Sequence, residues 1–227
     1  MQVAMIIPCR NEAGALGHVL AAIPRELVQQ LIVVDNGSTD DTAALAQAAG
    51  AIVVSEPIPG YGRACAAGLA QVRDEIDVLV FLDGDHSDYP EDLPTLLDPI
   101  ARDGADLVIG SRMQHALPGS LTLQQRLGNR LACALMRTCF GIRYTDLGPF
   151  RAIRRPALEQ LQMQDRAFGW TVEMQAKAAR LGLQVREVPV RYRPRIGDSK
   201  ISGTLQGTLR AGTAILSTIL KVRCGVC

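Results

Sequence analysis

Aromatic side chains are scarce: Phe, Tyr and Trp make up 4% of the 227 residues, with a single Trp. Proteins that bind nucleic acid by stacking bases interleave aromatics with basic residues, and neither that pattern nor a recognisable nucleic-acid module is present. Long apolar runs are missing too. The charge-free run Ala211–Leu220 near the C-terminus falls far short of the ~20 residues that span a bilayer. Cysteine occurs, but not in a metal or redox pattern. Cys224 and Cys227 form one C-x-x-C on the last residues with no second pair, too few ligands for zinc, and the other four are scattered. Met1 leads straight into the strand-like Val3–Ile7 without a basic leader, so a cytoplasmic, reduced protein is expected, with peripheral contact to the cytosolic face of a membrane left open.

Acidic residues are short in one half only. Residues 1–109 carry 5 Lys and Arg against 17 Asp and Glu, whereas residues 110–227 carry 19 against 6. A half so basic either faces something anionic, such as phosphate or a lipid headgroup, or neutralises the acidic half within one fold. The hydrophobic share of 48% and charged share of 21% are those of an ordinary globular domain with a sizeable core.

Apolar runs and helical stretches alternate over the first 110 residues. Strands are expected at Val3–Pro8, Leu31–Val34, Ala51–Ser55, Val78–Leu82 and Leu107–Ile109. Helices are expected at Ala13–Ile23, from a cap at Ser38, Thr39 or Asp40 through Ala49, at Ala64–Val72 and at Pro90–Ala101. This rhythm predicts an α/β fold built of βαβ units around a mostly parallel sheet. Beyond Gly110 come a long helix over Leu121–Phe140, a loop at Tyr144–Pro149 and helices near Pro156–Leu161 and Thr171–Leu181. A strand over Val185–Tyr192 and a helix over Gly203–Val222 follow, the latter amphipathic enough to lie on a membrane or on the protein itself.

The buried-strand pattern Val78–Leu82 runs straight into Asp83-Gly84-Asp85. Ligands in open α/β sheets bind outside the carboxyl ends of the strands, and two carboxylates there suit a hard divalent cation. Asp and Gly are also ordinary turn residues, so a solvated acidic turn is the alternative. Asp35 closes another strand, as a ligand to a ribose or base or as a plain turn residue. Pro8, Arg10, Asn11 and Glu12 end the first strand. Gly60, Gly62 and Gly68 would let backbone approach a nucleotide, and Arg112 follows a later strand. His86 and Trp170 are read as loop surface and core packing more readily than as ligands.

These segments together resemble the family 2 GT-A glycosyltransferases, and most closely the polyprenyl- or dolichyl-phosphate hexose synthases. The resemblance is carried in order by Ile7-Pro8-Cys-Arg-Asn11-Glu12, by Val33-Val34-Asp35-Asn-Gly-Ser38-Thr-Asp40 and by Gly60-Tyr-Gly62-Arg63. It continues through Asp83-Gly84-Asp85, Gly148-Pro-Phe150-Arg151 and Arg195-Ile-Gly197-Asp-Ser199-Lys200. It implies a GT-A, Rossmann-like, mostly parallel sheet flanked by helices over residues 1–205, with a nucleotide-sugar half (1–110), an acceptor half (111–205) and a C-terminal amphipathic helix and tail (206–227). The residues after the D-x-D depart from the family pattern: Ser87 stands where a Gln metal ligand is usual, and Asp88 is the candidate to replace it.

The resemblance implies inverting transfer of a hexose from a nucleotide sugar, GDP-mannose or UDP-glucose, to polyprenyl phosphate. Mg²⁺ or Mn²⁺ would sit on Asp83, Asp85 and Asp88. The nucleotide sugar would meet Pro8, Asn11, Glu12, Asp35, Gly62, Arg63, Asp83, Gly84, Asp85 and Arg112. An anionic acceptor needs cationic clamps, for which Arg151, Arg195, Ser199 and Lys200 are candidates. A hydroxyl acceptor would instead need a base, for which Asp146 and Glu173 are candidates, although each could simply pair with a neighbouring cation. A non-catalytic nucleotide-sugar-binding partner of a membrane enzyme is the rival from another class.

Overall fold

The computed structural model of the protein describes residues 1–197 and 205–226. The strands are β1 (Val3–Cys9), β2 (Gln30–Asp35), β3 (Ile52–Ser55), β4 (Val78–Phe81), β5 (Leu107–Ala116), β6 (Arg151–Arg154) and β7 (Val185–Tyr192). They form one sheet in the order β3-β2-β1-β4-β6-β5-β7. All neighbours are parallel except β6, which pairs antiparallel with β4 and β5. Among the described residues the helices are α1 (Ala13–Ala22), α2 (Thr42–Ala48), α3 (Tyr61–Leu69), α4 (Leu93–Arg102), α5 (Leu123–Phe140), α6 (Arg155–Leu161), α7 (Trp170–Leu181) and α8 (Leu205–Cys224). None of them is long and apolar enough to cross a membrane.

The central strands β1 and β4 are apolar at every position because both faces are covered. Along β1 the side chains alternate: Val3, Met5 and Ile7 join a core with Leu16 and Val19 of α1 and Leu93 and Leu96 of α4. Ala4 and Ile6 face the other core, which holds Cys65 of α3, Met136 of α5, Trp170 and Met174 of α7 and Ile219 and Val222 of α8. Trp170 is fully buried with its ring edge-on to Phe81, the core role expected of it.

β6 is inserted between β4 and β5, pairing Val80 and Val108 with Ala152. Two expected helix starts need adjustment. Of Ser38, Thr39 and Asp40, only Asp40 serves the start of the second helix, and it does so one residue ahead of the cap position. Asp41 holds that position without a side-chain bond, while Asp40 accepts from the backbone N–H of both Thr42 and Ala13, tying the starts of α1 and α2 together. The helix expected from Ala64 begins at Tyr61, because Gly60 adopts φ 156° and opens it earlier.

Two helical glycines separate crowding from propensity. A methyl group on Gly68 would lie 2.7 Å from Ile6 Cγ2 and 2.9 Å from Val34 Cγ2, whereas one on Gly17 of α1 would meet nothing. We therefore expect Gly68→Ala to destabilise by about 1–3 kcal/mol in urea unfolding, because overpacking outweighs the gain in helix propensity. Gly17→Ala should stabilise by about 0.5–1 kcal/mol. Equal effects at the two positions would contradict this geometry.

Candidate active site

β1 and β4 run side by side in the same direction, so the residues that leave them emerge at one edge of the sheet. There Pro8, Cys9, Arg10 and Glu12 from the first strand end and Asp83, Gly84 and Asp85 from the fourth line a cavity of about 410 Å³. Asn36, Gly60, Tyr61, Phe168 and Arg195 complete its walls. Gly84 is required for close approach, since a Cβ there would run into Cys9 Sγ.

Carboxylates crowd this edge. Burial, reinforced by the negative charge of Asp85, pushes the Asp83 carboxyl up to about 7, partly offset by a hydrogen bond from the Tyr61 hydroxyl at 3.1 Å. Asp85 accepts from the Ser87 N–H (2.9 Å) and hydroxyl (2.5 Å) through Oδ1. Its Oδ2 lies 3.2 Å from Arg195, which also reaches Glu12 at 3.1 Å. Asp88 is 2% exposed and neither of its carboxyl oxygens has a hydrogen-bond partner. Burial and the charges of Asp83 and Asp85 raise its carboxyl well above the usual range.

These donors are hard oxygens, and the unpartnered Asp88 oxygens leave coordination capacity, so the residues fit a hard divalent cation. Among the described residues no three Asp, Glu, His or Cys side chains form a ready-made metal cage. A cation here would thus take one or two carboxylates and complete its shell from phosphate or water, as Mg²⁺ commonly does.

The segment after β7 delivers Arg195. Arg193 N–H donates to Ser87 O at 2.9 Å and Ile196 N–H to Asp85 O at 3.0 Å, so residues 193–196 lie along the loop 85–88. The Arg193 side chain adds a bond to His86 O at 2.6 Å. His86 itself sits at φ 66° with its ring 5.2 Å from that of His18, a surface pairing.

Other candidates lie elsewhere. Asn11, at φ 52°, accepts from Thr39 N–H at 2.7 Å, and Asp35 accepts from Ser38 N–H at 3.0 Å. Asn11 thus ties the loop after β1 to the loop after β2 at the cavity's margin, whereas Asp35 closes a turn within the second loop. Gly62 is not open to a nucleotide: its N–H donates to Ala167 O (3.0 Å) and that of Arg63 to Arg166 O (3.1 Å), and the backbone of Asp165 and Arg166 fills the space a Cβ would need. Arg112 forms a double hydrogen bond with buried Asp146, 2.7 Å on each arm. Glu173 pairs with Lys177 at 2.7 Å and accepts from the Gln164 and Asp165 N–H groups. Arg151 is fully buried, donating to Thr171 O and Gly148 O, because it points from a central strand into the α7 layer. That corrects its expected place at an acceptor surface. Ser199 and Lys200 lie outside the described residues, as does Cys227.

Several wall residues lie outside the candidates that the sequence marks, among them Asn36, Tyr61, Cys9 and Phe168. Asn36 donates to Glu56 O and Ile58 O and accepts from Gly60 N–H, holding the loop that forms one wall. Tyr61 had a visible signal, lying between two glycines. Cys9 and Phe168 had none.

The sequence profile described as Glycosyl transferase family 2 matches residues 4–162, which takes in both strand ends and the carboxylates. The chain belongs to glycosyl transferase family 2. An uncharacterized glycosyltransferase of Mycobacterium tuberculosis is 40% identical over 210 residues, covering 92% of this chain and 94% of that protein. A dolichyl-phosphate hexose transferase of Haloferax volcanii is 34% identical over 227 residues, covering 96% and 92%. Among solved structures, glucosyl-3-phosphoglycerate synthase from M. tuberculosis, in complex with Mn²⁺, UDP-glucose and phosphoglyceric acid, superposes with a TM-score of 0.80 at 28% identity, covering 99% of this chain and 80% of that one. The GT-A architecture expected of this glycosyltransferase is therefore found, whereas Arg195 lies beyond the stretch matched by the family profile.

Asp146 and Arg112 of the glycosyltransferase form a buried, doubly hydrogen-bonded pair, with side chains 0% and 14% exposed. Removing either partner strands the other's charge, so Asp146→Ala and Arg112→Ala should each cost about 3–5 kcal/mol in urea unfolding. The double variant should lose clearly less than the sum. Additive losses would mean that the two act independently.

Proposed function

We propose that this glycosyltransferase moves a hexose from a nucleotide sugar to an anionic phosphate acceptor, polyprenyl phosphate, at a divalent cation held by Asp85 with Asp83 and Asp88 beside it. The observation that carries the reading is the convergence of Asp83, Asp85, Glu12 and Arg195 on one cavity at the carboxyl ends of β1 and β4. Mg²⁺ or Mn²⁺, when bound, neutralises charge developing on the leaving nucleoside diphosphate. The complex of the related synthase with Mn²⁺ and UDP-glucose supports both the donor class and the metal.

The nucleoside would lie toward Asn36 and Gly60, in the part of the cavity bordered by Asp35, with the diphosphate toward Asp83 and Asp85. Arg195, which already binds two carboxylates, and Arg10 are the described cations that line the cavity and could meet a phosphate there. An acceptor whose oxygen is already anionic needs no general base. The commitment of Asp146 to Arg112 and of Glu173 to Lys177 favours such an acceptor over a hydroxyl one. The name of the Haloferax relative favours a lipid phosphate, and phosphoglyceric acid in the related structure is a second phosphate-bearing candidate.

The test is release of nucleoside diphosphate from GDP-mannose and from UDP-glucose with Mn²⁺ or Mg²⁺, run with short-chain polyprenyl phosphate, with 3-phosphoglycerate or with neither. Release should depend on the polyprenyl phosphate, and Asp85→Ala should lower kcat/KM by about 10²–10³-fold. Release stimulated only by phosphoglycerate would replace the lipid acceptor with a soluble one, and release indifferent to both would overturn the phosphate acceptor. A second variant separates function from folding. Asp88→Asn removes an unpartnered buried carboxyl at constant volume, so the unfolding midpoint should rise while metal-dependent turnover falls. A lower midpoint would show that the carboxyl is compensated within the fold.

A further inference from the structure

One row of leucines on α5 is left uncovered. Leu123, Leu127 and Leu131 are 72%, 54% and 57% exposed, while the opposite face of the helix buries Ala132, Cys133 and Met136. Spacing of four residues sets the three leucines on one line along the helix. Arg126, Arg130 and Arg137 run along the adjoining line, with Arg130 and Arg137 exposed. Both ends of the helix are fixed, by the Thr122–Gln125 capping box and by left-handed Gly141, so the row is a formed surface.

Charge decides what this surface fits. Not one Asp or Glu occurs between Gly110 and Thr145, and α8, which packs alongside α5, carries none either. A helix with an apolar row flanked by arginines has the pattern of an element that lies in the interface of an anionic bilayer. A second copy of the chain fits less well, since a two-fold contact through this face would set arginine against arginine with no carboxylate to pair. Position agrees. β5 runs in the same direction as β4, so the chain leaves it at the carboxylate edge, where Leu117 is 46% exposed ahead of α5.

We propose that α5 docks the protein on an anionic membrane surface, seating Leu123, Leu127 and Leu131 at the acyl boundary with Arg130 and Arg137 on headgroup phosphates. The proposal deepens the lipid-acceptor reading by placing the acceptor's bilayer against one helix, but docking itself requires neither acceptor nor donor.

The experiment is co-sedimentation of the full chain with vesicles of phosphatidylcholine, with and without phosphatidylglycerol, in the absence of nucleotide sugar and polyprenyl phosphate. A failure of the acceptor assignment therefore leaves this result untouched. Binding should require phosphatidylglycerol and weaken at ~1 M salt, where the screening length is about 3 Å. The triple variant Leu123→Gln, Leu127→Gln, Leu131→Gln should bind at least about tenfold more weakly. Arg130→Gln with Arg137→Gln should abolish the preference for phosphatidylglycerol. All five positions are exposed, so far-UV circular dichroism and Tm should be unchanged. Folded wild type that ignores phosphatidylglycerol vesicles, or a leucine variant that binds as well as wild type, would overturn the proposal. A wild-type dimer converted to monomer by the leucine changes would assign the face to a second copy and overturn it equally.

Discussion

Like charge held together is the constraint on which the site depends. Parallel pairing of β1 and β4 brings Glu12, Asp83, Asp85 and Asp88 to one edge, partly out of water, where their repulsion is poorly screened. The fold answers with cations from its far end. The chain after β7 runs along the loop 85–88 and sets Arg195 between Glu12 and Asp85. Tyr89 is held between Arg191 and Arg193, whose guanidinium carbons lie 4.4 and 4.1 Å from the ring centroid, and Arg191 takes both arms to Asp92. The opposite charges of the two halves thus meet in part at the site, through Arg191 and Arg195, and arginines on α5 remain for the surface.

The inserted strand β6 organises the layer behind the cavity. Antiparallel pairing with both β4 and β5 points Arg151 into the α7 layer, where burial pushes its guanidinium down to about 10. Its bonds to Thr171 O and Gly148 O join β6 to α7 and to the loop before it. Asp146 and Arg112 do the same between that loop and β5. Buried pairs of this kind contribute little net stability against an apolar replacement, but each enforces one arrangement of the elements it joins. Residues whose types suggest acceptor clamps and bases are here the frame of the site.

The segment 162–169 shows how one stretch of chain can shape a cavity without any local signature. Carbonyls of Arg166 and Ala167 accept from N–H groups in the first turn of α3, closing off the helix end that its glycines would otherwise open to a nucleotide. Phe168 is thereby set against the cavity from the basic half of the chain.

By itself the sequence determined the α/β class, the core strands and the place of Asp83 and Asp85. An aliphatic run that ends in Asp-Gly-Asp is a local pattern, and a parallel sheet sends every such end to one edge. The helical stretch that became α5 was legible for the same reason, whereas its capping box was found only in the structure. Only the tertiary structure decided that β6 lies between β4 and β5, that Gly62 receives residues 165–167, that Arg151 is buried and that Arg195 reaches Glu12 and Asp85. Those partners are far apart along the chain. Which of many arginines meets which carboxylate depends on strand order and on where each edge segment docks, and no local pattern of residues encodes either.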